Sequence, residues 1–91
     1  MRAKVWRYPG KGGWHFLTLS RAASNAVRAL PREHKSGWGS VRVKATIGTS
    51  TWATSVFPAE HGLYVLAIKA PVRKAEGIED GATVRATVVV Q

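Results

Sequence analysis

Residues 41–47 read Val-Arg-Val-Lys-Ala-Thr-Ile, an unbroken alternation of apolar and polar side chains. Only a β-strand with one buried face and one wet face has this period of two. Gly48-Thr49 follows, then a second apolar-rich stretch ending at Pro58. Glycine tolerates φ > 0 at the first central position of a two-residue type II′ turn, so the two stretches are expected to form a hairpin. That turn sets Ile47 opposite Ser50, Ala45 opposite Trp52, Val43 opposite Thr54 and Val41 opposite Val56. A three-residue loop would slip the register by one and turn Trp52 outward beside Arg42 and Lys44. The first register collects Trp52 and Val56 with the valines and is the one expected.

The rest of the chain divides into segments of similar length. Arg2 to Tyr8 favours a strand, Pro9 to Gly13 is a turn by composition, and Trp14 to Leu19 reads as a second strand that closes a hairpin. Both faces of that second strand are largely apolar, the pattern of a strand covered on both sides. Ser20 suits a helix N-cap, with Ala23, Val27 and Leu30 at helical spacing and Arg21, Ser24, Asn25 and Arg28 on the other side. Pro31 disfavours helix for its predecessor, which places the helix within 20–30. Residues 31–40 form a loop, Leu63 to Ile68 a strand, and Pro71 opens a short helix over 71–76 that Gly77 stops. Val84, Ala86, Val88 and Val90 alternate along the last strand. Six strands and two helices in 91 residues make one mainly β domain, 1–91. Its core is modest, so Trp14 and Trp52 are expected inside it, with Trp38, flanked by glycines, outside.

Several function classes lack their residues. There is no cysteine, which fits a reducing compartment. His15, His34 and His61 stand singly, without a second ligand at i+2 to i+4, so no metal site and no other cofactor are expected. No carboxylate pair, serine elbow or phosphate-cradling glycine loop is present, and the chain is not expected to be an enzyme. No stretch approaches the ~20 apolar residues of a membrane span, and the N-terminus lacks the apolar centre of a signal peptide. The cytoplasm is the expected compartment, with no membrane contact.

Charge is the positive signal. The net charge is +9, and residues 1–44 hold ten Lys and Arg against Glu33 alone, whereas residues 45–91 balance four against four. The asymmetry points to an anionic macromolecule, nucleic acid first, contacted by Arg21, Arg28, Arg32, Lys35, Arg42 and Lys44, with Trp38 as a stacking residue. Single spacing of these cations between apolar residues is also the pattern of a solvated face. The rival expectation is therefore a protein-interaction scaffold whose charge serves solubility. A third reading uses Lys69 and Arg73 near Ser55 to hold a small anion in a bidentate fork. Against it, an Arg73–Glu76 pair at i+3 on an exposed helix is the simpler expectation. The oligomeric state is not legible.

Four stretches carry a family resemblance: Gly12-Gly13-Trp14-His15-Phe16, Gly37-Trp38-Gly39-Ser40-Val41, Thr54-Ser55-Val56-Phe57-Pro58 and Lys69 to Ile78. In order and spacing they resemble the bacterial domain-of-unknown-function family 1905 over nearly the whole chain. The resemblance implies a closed six-stranded β-barrel of complex topology with short helices. The strand count read from the residues agrees. The family pattern continues with Gly-Asp before the last strand, where this chain has Gly81-Ala82. The resemblance implies no activity.

Overall fold

The computed structural model describes residues 1–91. In chain order the regular elements are β1 (Arg2–Arg7), β2 (His15–Thr18), α1 (Arg21–Arg28), β3 (Val41–Ile47), β4 (Ser50–Pro58), β5 (Tyr64–Ala67), α2 (Ala70–Glu76) and β6 (Thr83–Val90). Short 3-10 turns lie at Arg32–His34 and Glu60–Gly62. All neighbouring strands are antiparallel and close into a barrel in the order β1-β2-β5-β4-β3-β6. The two hairpins β1-β2 and β3-β4 are bridged on one side by β5 and on the other by β6. Closure leaves no unpaired sheet edge.

The β3-β4 register is the one the two-residue turn dictates, from Ile47↔Ser50 to Val41↔Val56. Gly48 takes φ +58 at the first turn position, and Trp52 points into the barrel, 7 % exposed. The interior is filled mainly by aliphatic side chains, among them Val5, Leu17, Val43, Val56 and Leu66, all at 0 % exposure. A six-stranded barrel is narrow enough for such residues to fill it.

Each helix closes the barrel for a local reason. The Ser20 hydroxyl accepts the Ala23 amide at 3.1 Å and caps α1. Val27 buries against the core, and so does Ser24, which the helical spacing had placed on the solvent side. The Ser24 hydroxyl accepts the Tyr64 amide at 2.9 Å, so α1 is pinned to the first residue of β5 by a buried polar bond. Val72 buries α2, and Gly77 ends it in the left-handed conformation while the Ile78 amide returns to the Arg73 carbonyl at 2.9 Å. The Glu76 carboxylate caps the β3-β4 turn, accepting the hydroxyl protons of Ser50 at 2.6 Å and Thr49 at 3.3 Å.

Two expectations need correction. Trp14 lies outside the barrel, 57 % exposed. The β1-β2 register pairs Val5 with Leu17, which sends Leu17 and Leu19 inward and residues of the opposite parity, Trp14 and Phe16, outward. β2 is therefore covered on one face only, and its second apolar face belongs to the outer wall. The second correction concerns Arg73. It does not pair with Glu76: its guanidinium donates to the Ile68 carbonyl at 2.6 Å, and Glu76 is taken by the β3-β4 turn.

Candidate functional surface: the outer wall of the barrel

None of the six strands contains an Asp or Glu, while together they carry Arg2, Lys4, Arg7, Arg42, Lys44 and Arg85. All five acids sit in helices, turns and loops at the barrel ends. No Lys or Arg lies within 4 Å of a carboxylate; the single ionic contact is His61–Glu60 at 3.9 Å. Fourteen cationic side chains are thus unneutralised within the chain.

The seven residues expected to meet an anionic partner fall into three places. Arg21 and Arg28, seven residues apart on one face of α1, converge on the Glu60–Gly62 turn. There Arg21 donates to the His61 carbonyl at 2.7 Å and Arg28 donates to the Gly62 carbonyl. Arg28 also reaches Asn25 at 2.8 Å, and Lys35 donates to the Arg28 carbonyl at 2.6 Å. These three head groups thus clasp exposed backbone carbonyls of the chain itself. The second place is the outer face of β3, where Arg42 and Lys44 are exposed; Arg42 makes one weak bond to Ser55 at 3.3 Å. The third is the loop 31–40. Arg32 is exposed there, and Trp38 stands 87 % exposed on a tight turn closed by Ser36 and Ser40.

The alternative anion set does not assemble. Ser55 lies on the outer face of β4 against Arg42, whereas α2 meets β4 at its opposite end through Ser50. Four strand residues lie between the two serines, a span of five steps or about 16 Å at the usual rise. Arg73 is engaged by Ile68, which leaves Lys69 exposed at the end of β5. At the departure Gly81-Ala82, the Ala82 side chain packs against the core and its carbonyl accepts the Val5 amide at 2.8 Å.

Sequence reasoning missed two features of this wall. β6 runs between β3 and β1, so Arg85 stands directly opposite Arg2, and Lys4 opposite Thr83. On β6 the outward neighbour of Lys44 is the exposed Val89, and Arg85 lies four residues further along, so Arg42 and Lys44 stand towards one end of this wall and Arg85, Arg2 and Lys4, from both halves of the chain, towards the other. Around the other side, β1, β2, β5 and β4 present Trp6, Tyr8, Trp14, Phe16, Val65 and Phe57 on the same outer surface. Phe16 is the hub. Trp6 packs on it at 5.2 Å between ring centres, Tyr8 meets it edge-on at 6.2 Å, and Trp14 lies nearly parallel to it at 6.3 Å. The apolar parity of Trp14 and Phe16, opposite to that of Leu17 and Leu19, was the available signal.

The match to known families is consistent with this architecture. Residues 2–88 match the model of a domain of unknown function (DUF1905). The chain belongs to that family. No curated protein matches the DUF1905 domain described here. Nor is any of its helices long and apolar enough to cross a membrane.

Proposed function

We propose that this DUF1905 domain is a binding module for an anionic polymer, nucleic acid first, and that the contacts run along the outer wall of the barrel. The observation that carries the reading is a wall with no acid in any strand and no Lys or Arg paired to a carboxylate. Cations left unpaired in a folded domain repel one another, a cost that an anionic partner removes. Arg42 and Lys44 on β3, Arg85 on β6 and Arg2 and Lys4 on β1 form the phosphate-facing set. Arg21, Arg28 and Lys35 support it indirectly by holding α1 and the loop 31–40 in place. No helix is arranged to enter a groove, so sequence preference is weak.

The test is titration of labelled DNA and RNA at several salt concentrations. Four to six phosphate contacts give a log–log salt slope of about −4 to −5 on duplex DNA. Reversing Arg42 and Lys44 together to Glu should weaken every sequence alike and flatten that slope. Absence of binding at low salt up to high micromolar protein overturns the reading.

A further inference from the structure

Three aromatic rings on the outer wall serve no purpose in the barrel interior, which is already filled. Tyr8, Trp14 and Phe57 are 52, 57 and 42 % exposed. With Phe16, Val65 and Ala67 they line a shallow groove of about 360 Å³ whose walls are wholly apolar. The groove is held in shape by contacts beneath and beside it. The Trp6 indole N–H donates to the Thr18 hydroxyl at 2.9 Å, which lays Trp6 against Phe16. The β1-β2 loop runs through Gly10, Gly12 and Gly13, all at positive φ, and a Cβ at Gly12 would come within 3.1 Å of the Trp14 indole nitrogen. The loop backbone is thus packed along the edge of Trp14, and the ring projects over the groove.

The charges around the groove select its occupant. Lys4 precedes Trp6 on the outer face of β1, Lys69 follows Ala67 at the end of β5, and Arg42 stands beside Ser55, the next outward residue to Phe57 on β4. Cations therefore border an apolar floor on several sides. The one acid near the aromatic face, Glu60, lies in the end turn beside His61. A flat apolar floor with cationic borders matches a chain of flat rings joined by phosphates.

We infer that the Tyr8–Trp14–Phe16–Phe57 shelf takes the unpaired bases of a single-stranded nucleic acid, with its phosphates running to the bordering cations. This rests on the proposed binding of an anionic polymer and adds to it a preference for single strands. Aromatic side chains stack on any base, because every base presents a π-face, so the preference is for strandedness and not for sequence. A duplex keeps its bases stacked on one another and meets only the cations.

The experiment compares Trp14→Ala and Phe57→Ala with wild type on a short labelled oligothymidylate and on the same strand annealed to oligoadenylate, at one fixed salt. Both side chains are exposed, so the variants should fold, and circular dichroism checks this. Wild type should hold the single strand more tightly than the duplex. Each variant should lose between about five- and 150-fold on the single strand, with less than about twofold change on the duplex. Equal losses on both probes, or no loss on the single strand, would overturn the inference while duplex binding left the basic-wall reading intact. No binding of either probe would overturn both. A dimer in sedimentation that Trp14→Ala dissolves would assign the shelf to a second copy of the chain and would also overturn it.

Discussion

Ser24 is the residue whose removal should tell most about how this barrel is closed. It is fully buried on α1, and its hydroxyl is the partner of the Tyr64 amide at the first residue of β5. The Tyr64 carbonyl meanwhile accepts the Leu19 amide at 2.8 Å, so this one residue joins β2, β5 and α1. Ser24→Ala removes a single oxygen and leaves almost no cavity. It also leaves a buried amide unpaired, which costs about 1–3 kcal/mol. Alanine's better helix propensity returns up to ~0.5 kcal/mol of that. For a domain of this size the net loss of about 0.5–2.5 kcal/mol lowers the midpoint of thermal unfolding by roughly 2–20 °C. Urea unfolding followed by circular dichroism should show a lower midpoint at unchanged slope, the mark of lost stability without a change in the surface exposed. Ser20→Ala, which removes the exposed cap of the same helix, should cost about 1 kcal/mol and serves as the local comparison. Wild-type stability in Ser24→Ala would refute the reasoning, because the Tyr64 amide would then have to find another partner at no cost.

The clasp between α2 and the β3-β4 turn makes a second prediction. Gly48→Ala puts a Cβ into the Glu76 carboxylate and strains a residue at φ +58, for a combined loss of about 2–3 kcal/mol in chemical denaturation. Glu76→Ala loses the bonds to Ser50 and Thr49 and should cost about 1–2 kcal/mol. The double variant should lose less than the sum, because both changes break the same contact.

How much of this was readable beforehand depended on whether a local pattern had one solution. The alternation at 41–47 with Gly48-Thr49 behind it has one, and the register came out residue for residue. Ser20 and Gly77 likewise work through bonds within a turn of their own position, and both act as caps. β2 has no such uniqueness. Trp14-His15-Phe16-Leu17-Thr18-Leu19 is apolar at both parities, and only the pairing with β1 decides that leucines go in and rings go out. Ser24 shows the same limit on a helix: its spacing is that of a wet face, and its burial follows from where the β5 amide falls forty residues later. The basic wall needed the topology as well. Arg2, Arg42 and Arg85 are far apart in sequence and come onto one surface only because β6 inserts between β3 and β1.

That insertion makes the last prediction, which concerns salt. Arg85 faces Arg2 across β6 and β1, with Lys4 one outward position along. Like charges directly opposite in a sheet are destabilising, and no carboxylate lies close enough to offset them. Salt screens exposed charges, over a length of about 10 Å at 0.1 M and about 3 Å at 1 M. The folded domain should therefore become more stable as sodium chloride is raised, since the unfolded chain holds the same charges farther apart. Nucleic-acid affinity should fall over the same range, because each neutralised phosphate releases counterions into a solution already rich in them. Arg85→Thr should raise the thermal midpoint at low salt by about 1–4 °C and shrink its rise with salt, while weakening duplex binding. Sodium chloride is the salt to use, because sulfate strengthens burial by a separate route. A midpoint that falls with chloride, or an Arg85→Thr variant less stable than wild type at low salt, would show that the wall is not under electrostatic stress. It would also remove the main physical reason for assigning that wall an anionic partner.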